Sequence, residues 1–437
     1  MKGRGIRIIL LCALAVRLAA IPAVHRTAFT SDEREYLFMA HQLLERGIFQ
    51  DSNGDRAIRA PLYPIMTAGL LWVVGDAILV LHCIGCLLGT VVVWLVYRLS
   101  LRLGAGEPQA LWSAGIASFY PGLVIYSTLL QNETVYIVFF LMAILSLLSL
   151  FRTPRLAPAL ALGLWGGLAA LTRPVFLGFL PVMAALLLWH HRRDLRQAIV
   201  PLVGAALVAA LVIVPWTIRN AEVVGSCVLI ASGGGNSLLA GNNPYSTGTL
   251  AGGDKFDRWF AEQLRARGIN EPSALGETTR STVSAAIAGD YMTSHPLSTL
   301  AISLRKSYIF WIYPIAHSST YVPIQLVAVA ADILLLAAVV IGVAGLPRKG
   351  TGDVLLWGAL IYFWLVQAVL HAEARFRLPL VPLLAVMAGG GLAMLADAAG
   401  RRRCRENARV RRAIVIGLSA VATVYAATAV LFLRGDI

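Results

Sequence analysis

Six short segments of the sequence carry most of the residues that could perform acid–base or phosphate chemistry. They are 30–36, 59–64, 130–134, 172–174, 215–220 and 371–379. The first of these holds three carboxylates and the third holds Glu133, and arginines occur in five of the six. Carboxylates can accept a proton, and arginines bind phosphate in a forked geometry. The combination predicts a site that takes a negatively charged lipid phosphate beside a carboxylate that handles a proton.

Three carboxylates are the candidates for the proton-handling group. Asp32 and Glu33 are adjacent and follow an apolar run, and Glu133 stands between two apolar runs. Acids so close to a membrane are costly unless they are paired or used in function. A structural interpretation also remains open, because acids in the first turn stabilise a helix, here one capped by Thr30 or Ser31. Glu133 could likewise have a purely structural role at the start of a helix.

The basic candidates are dispersed along the chain. They are Arg59, Arg173, Arg219, Arg375, Arg377 and His371, and Glu373 lies within the last group. An arginine beside an apolar segment can hold a phosphate or simply anchor a helix at the membrane surface. Pairing of Arg375 and Arg377 with Glu373 is a further structural alternative. No single segment decides between these interpretations, but all six are predicted to lie on one membrane face.

The elements that position these residues are membrane helices. Hydrophobic residues make up 58% and charged residues 14% of the 437 residues, and the mean hydropathy is +0.73. Soluble proteins carry about 25% charged residues, so this composition excludes a soluble fold and also intrinsic disorder. The sequence predicts an all-α polytopic membrane protein.

Apolar runs of suitable length predict about eleven transmembrane helices. The predicted spans are residues 8–24, 77–99, 111–127, 135–151, 157–171, 175–189, 199–215, 323–346, 354–370, 378–396 and 413–432. Residues 60–75 and 297–315 are apolar but short or amphipathic, so we expect helices at the membrane surface there. Another surface helix is expected in the first outside loop, after Ser31.

Basic residues predict the orientation of these spans. The chain has a net charge of +14, and about half of its 37 lysines and arginines fall in short connections on one side. That side is the cytoplasm, so we expect a cytoplasmic N-terminus, and we expect the bacterial inner membrane as the location. Residues 25–60 then form the first periplasmic loop and residues 217–296 a long periplasmic loop, within a single domain of residues 1–437. The basic charge indicates orientation and contact with the lipid bilayer, with no nucleic-acid partner.

The order of the motifs resembles the GT-C superfamily of membrane glycosyltransferases, in the branch of the protein O-mannosyltransferases and the lipid A aminoarabinose transferase. The acidic motif is Asp32-Glu33-Arg34-Glu35-Tyr36, and the basic and proline-rich segment is Arg59 with Pro61-Leu62-Tyr63-Pro64. Glu133 corresponds to the second-loop acid. The late motifs are Pro215-Trp216 with Arg219-Asn220, and His371 with Arg375-Phe376-Arg377-Leu378-Pro379.

The resemblance implies a GT-C fold and an enzyme. Such an enzyme transfers a sugar from a polyprenyl-phosphate donor to an acceptor on the periplasmic face, with inversion at the sugar. Asp32 would be the catalytic base, with Glu33 beside it. Glu133 would lie on the acceptor side or, with Glu33, hold a divalent metal ion. The donor phosphate would be bound by Tyr36, Arg59, Arg219 and Arg375, with Arg173, His371, Glu373 and Arg377 as further candidates. The acceptor, whether lipid, glycan or protein, stays unidentified.

Two other functions remain open at this point. A flippase or exporter of lipid-linked sugars would also bind polyprenyl phosphate, but it should place polar groups deep in several spans. Only Arg17 and Asp332 interrupt the predicted spans in that way. A non-enzymatic membrane assembly protein would need none of the carboxylates for turnover. No P-loop, HExxH or GxSxG motif is present, which removes support for ATPases, zinc proteases and serine hydrolases.

Overall fold

The computed structural model describes residues 3–24, 30–249, 253–271, 275–312, 322–345 and 350–434, and its regular elements are all helical. This confirms the predicted all-α fold class. The first ten helices are α1 (Arg4–Val24), α2 (Ser31–Arg46), α3 (Leu62–Val74), α4 (Ile78–Arg102), α5 (Glu107–Phe119), α6 (Pro121–Thr128), α7 (Glu133–Arg152), α8 (Leu156–Thr172), α9 (Phe179–His190) and α10 (Arg196–Val224). Short 3₁₀ helices cover Pro174–Phe176 and Ala374–Leu380.

Among the described residues, the second half of the chain adds nine helices. They are α11 (Gly234–Gly241), α12 (Asp254–Arg265), α13 (Glu277–Ser294), α14 (Pro296–Trp311), α15 (Val322–Gly345), α16 (Thr351–Val369), α17 (Val381–Ala396), α18 (Ala398–Glu406) and α19 (Ala408–Arg434). Most residues of α7 and α17 are buried, so these two helices form the centre of the bundle. The others surround them.

Within the described ranges, seven helical segments are long and apolar enough to cross a membrane. They are Arg4–Pro22, Ile78–Arg102, Glu133–Arg152, Arg196–Val224, Gln325–Gly345, Thr351–Val369 and Ala374–Ala396. Shorter apolar helices occupy Leu62–Val74, Leu156–Thr172 and Pro174–His190. Every predicted span coincides with helix, although the third one is divided between α5 and α6. The count of eleven spans stays a prediction.

Apolar side chains face outward on the spans, as expected where lipid replaces water. On α10 the exposed positions recur every three or four residues and form one face: Val200, Val203, Leu207, Leu211 and Val214. The opposite face of α10 packs on α8, where a Cβ at Gly163 would lie 2.2 Å from the carbonyl oxygen of Ala205. Small residues therefore allow these two backbones to approach closely, as is common between membrane helices.

Arg17, the charge that interrupts the first span, stabilises a break between α5 and α6. Pro121 has no N–H to donate to the carbonyl of Ala117, which is thereby freed. Arg17 is fully buried and donates hydrogen bonds to Ala117 O (3.3 Å) and Ser118 O (3.1 Å). An arginine in a span is tolerated when it meets such partners. The break directs the chain through α6 into residues 129–132, the loop predicted to be the second one outside. This loop leads to Glu133 at the start of α7.

Asp332, the other charge within the spans, is also paired. It forms a buried salt bridge with Arg377 and accepts a 2.5 Å hydrogen bond from the hydroxyl of Tyr120. The three side chains connect α15, the 3₁₀ helix at Ala374–Leu380 and the start of α6. Both intramembrane charges therefore contribute to the packing of the bundle, because each has partners within the protein.

Helices are present at both positions predicted for the first outside loop, as α2 and α3, and their location at the membrane surface stays a prediction. Thr30 is the N-cap of α2, and Gly47 ends the helix in the left-handed conformation that glycine adopts readily. The apolar face of α2, which includes Ala40, packs on Ala68 and Leu71 of α3. Residues 25–29, the start of the predicted loop 25–60, lie outside the described residues. The packing of α2 on α3 fixes the direction of the acidic end of α2.

The long outside segment, residues 217–296 and predicted as a periplasmic loop, contains the helices α11, α12 and α13. We expected the seventh span to end near Pro215 and a polar loop to follow, but α10 continues to Val224. Asn220 donates to the carbonyls of Val228 (3.0 Å) and Ile230 (3.2 Å), which folds the following chain back on α10. Internal proline does not end α10, because the neighbouring contacts hold the helix together.

Candidate active site

Glu33 joins the first outside loop to the second. Its Oε2 accepts hydrogen bonds from the backbone N–H (2.9 Å) and the hydroxyl (3.1 Å) of Thr30, which completes a capping box at the start of α2. Its Oε1 accepts from the backbone N–H of Leu130 at 2.9 Å. Both oxygens are thus occupied by the protein. Glu33 positions its neighbour Asp32, and its contacts do not favour the catalytic or metal-binding role that the sequence suggested.

Asp32 lies between two arginines from distant parts of the chain. Its Oδ1 is 3.2 Å from Nη1 of Arg59, and its Oδ2 is 2.5 Å from Nη1 of Arg375. Burial alone would raise the pKa of Asp32, but the positive charges of Arg375 and Arg59 outweigh it and hold the pKa below its ordinary value. The side chain keeps 19% of its surface exposed. Asp32 is therefore an ionised carboxylate that a substrate can still reach.

Arg375 is the centre of the cluster. Besides Asp32, its guanidinium lies 2.5 Å from Oε2 of Glu373 and 3.9 Å from Oε1 of Glu133. One cation thus contacts carboxylates from three parts of the chain. Removal of this cation would leave all three carboxylates close together without a shared partner, which is unfavourable at such burial.

The backbone that carries Arg375 is held by the end of α16. Lys306 of α14 is fully buried, and its ammonium donates to Val369 O (3.0 Å) and to Oδ1 of Asn242 (2.9 Å). A cation at a helix C-terminus satisfies carbonyls that have no partner in the helix. Three residues later the N–H of Ala372 donates to Gly248 O at 2.8 Å. The segment between α16 and Arg375 is therefore fixed by residues of the long outside segment.

Glu133 begins α7 and is paired with Arg173. Its Oε1 lies 2.5 Å from Nη2 of Arg173, whose Nε donates to Oδ1 of Asn132 at 3.1 Å. The Arg173 guanidinium also lies over the rings of Tyr136 and Phe376, at 5.6 and 5.4 Å from their centroids. The second oxygen of Glu133 is buried and has no hydrogen-bond partner among the described residues. That oxygen can accept a hydrogen bond from a bound hydroxyl.

Tyr36 lies beside the cluster and contacts Asn132 and Arg59. Its hydroxyl oxygen accepts a 2.9 Å hydrogen bond from Nδ2 of Asn132, so the phenolic proton is not used in that bond. Its ring lies 5.4 Å from the Arg59 guanidinium and packs edge-on against Tyr63. Burial raises the pKa of Tyr36, although the charge of Arg59 opposes the effect. The phenol therefore stays protonated and can donate a hydrogen bond to an oxygen of a ligand.

Formal charges in the cluster balance. Three carboxylates (Asp32, Glu133 and Glu373) meet three arginines (Arg59, Arg173 and Arg375), while the charge of Glu33 is satisfied in the capping box. An incoming phosphate must therefore compete with carboxylates for the arginines. A short movement of an arginine side chain is enough to exchange a carboxylate partner for a phosphate partner.

Two predicted donor-site residues make their contacts elsewhere. Arg219 donates to Arg56 O (2.6 Å) and Phe49 O (3.0 Å) and stacks over Trp216, so it holds the first outside loop. Arg377 is the buried partner of Asp332. Both interpretations as phosphate ligands are therefore disfavoured. The reason is one of position in each case, because Arg219 is engaged by backbone carbonyls of the first loop and Arg377 by the buried Asp332.

His371 lies at the margin of the cluster. Its ring packs edge-on against Phe376 at 5.3 Å between centroids, and Nδ1 is buried without a hydrogen-bond partner in the part of the chain that the structure describes. Burial lowers the pKa of His371 below its ordinary value. A neutral imidazole at neutral pH is the result, so His371 adds no charge to the cluster. Asn132, which the sequence reasoning did not select, joins Tyr36 to Arg173, and only its position next to Glu133 could have indicated it.

The residues present do not fit the divalent metal ion that the resemblance allowed. Among the described residues no three His, Cys, Asp or Glu side chains form a metal-binding group. Glu133, one of the two predicted ligands, is paired with Arg173 and lies 3.9 Å from Arg375, so two cations already face it. Glu33, the other predicted ligand, has both oxygens in hydrogen bonds. Both predicted ligands are thus already engaged by positive charges or N–H groups of the protein.

From this arrangement we expect turnover to be independent of divalent metal ions. Treatment of the purified protein with EDTA, followed by gel filtration, should leave the initial rate within about twofold of the untreated rate, because Arg375 already supplies the positive charge. Addition of Mg²⁺, Mn²⁺ or Zn²⁺ should not increase the rate. A loss of activity that one of these ions restores would contradict the conclusion that Arg375 supplies the positive charge.

Comparison with known proteins agrees with the fold. Residues 58–218 match the family model described as dolichyl-phosphate-mannose-protein mannosyltransferase. The structure is similar to the oligosaccharyltransferase AglB of Archaeoglobus fulgidus in complex with an inhibitory peptide and a dolichol-phosphate (TM-score 0.58, 16% identity, covering 97% of this chain and 55% of that chain). An oligosaccharyltransferase of Archaeoglobus fulgidus in complex with Zn and sulfate gives a TM-score of 0.55 at 14% identity, covering 96% of this chain and 52% of that chain. The chain thus spans about half the length of these oligosaccharyltransferases.

ArnT from Cupriavidus metallidurans bound to undecaprenyl phosphate is also similar, with a TM-score of 0.46 and 14% identity over 91% of this chain and 80% of that chain. No curated protein matches the sequence significantly. The expected resemblance is confirmed, since the family match and the oligosaccharyltransferase likeness both point to the GT-C fold. The protein is a multi-pass membrane protein of that fold.

Proposed function

We propose that this GT-C-fold protein transfers a sugar from a polyprenyl-phosphate donor to an acceptor hydroxyl on the outer face of a bacterial inner membrane. One observation carries the proposal: Asp32, partly exposed at the start of a surface helix, lies between Arg59 and Arg375. In this proposal Asp32 is the proton acceptor, and Arg59 and Arg375 bind the phosphate of the donor. The match to a dolichyl-phosphate-dependent family and the dolichol-phosphate bound to the neighbour support a lipid-phosphate donor.

In the proposed reaction Asp32 accepts the proton of the acceptor hydroxyl. The acceptor oxygen forms a bond to the anomeric carbon as the bond between that carbon and the phosphate oxygen breaks, and the electron pair leaves with the polyprenyl phosphate. A single displacement of this kind inverts the anomeric configuration. An ordinary carboxylate is a weak base for an alcohol, so proton transfer must accompany departure of the phosphate.

The arginines have two tasks in this proposal. Before the donor binds they neutralise the carboxylates, and when the phosphate enters, Arg59 and Arg375 also contact its oxygens. Transfer of positive charge toward the phosphate raises the proton affinity of Asp32, because less cation remains near it. Charge that develops on the leaving phosphate is stabilised by the same groups and by the hydroxyl of Tyr36. Donor binding therefore prepares the base.

Orientation follows from the distribution of charge. Glu133 is the first residue of α7 and Arg152 the last, Arg192 and Arg193 precede α10, and Arg196 begins it. The positive-inside pattern supports an orientation with that end in the cytoplasm and the cluster outside. We further propose that the chain acts as one transmembrane domain in which residues 217–296 cover the acceptor side.

The direct test uses purified protein in lipid nanodiscs with a panel of radiolabelled polyprenyl-phosphate sugars and membrane extract as acceptor source. We expect one donor to release free polyprenyl phosphate in an extract-dependent way, with the label appearing in the acceptor fraction. Protein without extract is the matched control, since transfer and not hydrolysis is expected. A folded protein that binds the carrier lipid, yet turns over no donor, would instead indicate a flippase.

A further inference from the structure

Glu277, the first residue of α13, is buried against the first outside loop. Its Oε1 accepts from the backbone N–H groups of Arg56 (3.0 Å) and Ala57 (2.9 Å). Its Oε2 accepts from the N–H of Ala57 (3.0 Å) and the hydroxyl of Ser232 (3.0 Å). A carboxylate that accepts several hydrogen bonds from neutral donors is well satisfied without a cation. Glu277 therefore anchors two peptide groups that lie more than 200 residues away in the sequence.

Other contacts hold the same short segment. Arg280, one turn after Glu277, pairs with Asp55, and the N–H of Ser232 donates to Ala57 O at 2.8 Å. Arg219 binds the carbonyl of Arg56 from the other side. Residues 55–57 have no regular secondary structure of their own. They are held by side chains of α10 and α13 and by Ser232, which lies between these two helices in the sequence.

Arg59 follows this anchored segment by two residues. Its side chain is 34% exposed, the largest value among the three arginines of the cluster, and its ion-pair contact is a 3.2 Å approach to Asp32. A long and partly exposed side chain with few contacts depends on its backbone for its position. The place of Arg59 beside Asp32 therefore depends on the place of Ala57.

We propose that Glu277 is a positioning residue for Arg59, through which the long outside segment sets the phosphate side of the site. The inference rests on the proposed function for its catalytic consequence, while its geometric part stands independently. Without the carboxylate, the N–H groups of Arg56 and Ala57 lose their acceptor and the segment relaxes. A displacement of about 1 Å can cost on the order of 100-fold in rate when it misplaces a reacting group.

The first measurement does not need turnover. The folded protein is treated with the arginine-selective reagent p-hydroxyphenylglyoxal, and modification of Arg59 is followed by peptide mass spectrometry, with Arg173 as internal reference. We expect Glu277→Ala to raise the modification rate of Arg59 about threefold or more while Arg173 stays unchanged, because a released arginine is more accessible. Glu277→Gln keeps the shape and one acceptor oxygen, so it should fold and show a smaller change in the same direction. Unchanged modification of Arg59 in both variants would overturn the proposal.

The second measurement is a double-mutant cycle with the active donor. Glu277→Ala should lower kcat/KM about 10-fold in the native background and by less than twofold in an Arg59→Gln background, because its effect passes through Arg59. The exposed acid Glu262 of α12 provides the control variant Glu262→Gln, which should leave kcat/KM unchanged. Additive losses would show a general structural role and contradict the proposal. Absence of turnover in the native protein would contradict the proposed function, and the modification experiment would still decide the position of Arg59.

Discussion

Replacement of Asp32 by asparagine is expected to lower kcat by about 10³-fold, the size of contribution that a well-placed general base makes. Asparagine has the same shape but cannot take up the acceptor proton. Arg59 and Arg375 would lose their carboxylate partner, so the donor phosphate would meet less competition for them. We therefore expect the KM for the donor to stay the same or to fall. Radiometric assay of polyprenyl-phosphate release measures both parameters.

Glu45 of the same helix provides the matched control for this prediction. It is an exposed acid in the last turn of α2, and Glu45→Gln should leave kcat and KM unchanged. Thermal unfolding in detergent separates loss of chemistry from loss of fold: Asp32→Asn should unfold at a lower temperature than the native protein, because Arg59 and Arg375 lose their charged partner, but it should stay folded at the assay temperature. Turnover by a folded Asp32→Asn variant at a native-like rate would exclude Asp32 as the base.

The pH profile gives the same prediction a second readout. The arginines hold the pKa of Asp32 below its ordinary value although burial opposes them, so the free protein keeps the carboxylate ionised throughout the neutral range. The acid limb of kcat/KM, which reports the free enzyme, should therefore lie below the ordinary carboxyl pKa. The free energy of unfolding should depend on pH in the same direction. The ion pairs of Asp32 stabilise the fold above the unfolded-state pKa, and this contribution is lost as the pH falls through the lowered pKa.

Replacement of Arg375 by glutamine is expected to lower kcat/KM by about 10²–10³-fold and also to destabilise the protein. The catalytic loss follows because the leaving phosphate loses a cation, comparable to removal of an oxyanion-stabilising donor. The stability loss follows because Asp32 and Glu373 lose their contacts at 2.5 Å, and a buried pair that is broken on one side costs about 3–5 kcal/mol at full burial and less at this partial exposure. Turnover and thermal unfolding are the measurements.

A second substitution separates the two effects of Arg375. The double variant Arg375→Gln/Glu373→Gln removes one cation and one carboxylate, so it should recover much of the lost unfolding temperature without recovering turnover. Arg375→Lys keeps the charge but loses the forked contact and should fall between the native protein and Arg375→Gln. The exposed Arg46 supplies the control Arg46→Gln, for which no change is expected. Recovery of turnover together with stability would show that Arg375 has only a structural role.

The first outside loop illustrates how far the sequence alone determines the site. The order Thr30, Asp32 and Glu33 predicts a helix that starts with acids in its first turn, and α2 begins in this way. Local rules are sufficient there, because capping depends on residues three positions apart. The same rules do not say which of the two acids is used by the cap. The structure shows that Glu33 serves the cap and the second loop, which leaves Asp32 to face Arg59 and Arg375.

The arginines show where sequence reasoning is insufficient. Arg59, Arg173 and Arg375 reach the carboxylates, while Arg219 and Arg377 stand in equally suggestive motifs and bind elsewhere. A guanidinium on a long side chain can choose among partners several ångströms apart, so its contacts depend on the packing around it. Glu277 gave no signal at all in the sequence, because its partners are backbone N–H groups of a distant loop.

The sequence by itself determined that this is an all-helical membrane protein, where most of its apolar helices lie and which residue types could handle protons and phosphate. Those properties follow from local hydrophobicity, from charge at the ends of spans and from helix capping, all of which act over a few residues. Only the tertiary structure decided that Asp32, Glu133 and Glu373 share Arg375 and that α13 holds the loop before Arg59. Contacts of this kind join segments hundreds of residues apart. Their geometry is set by how the helices pack, because a hydrogen bond forms only when its heavy atoms come within about 3 Å and an ion pair only within about 4 Å.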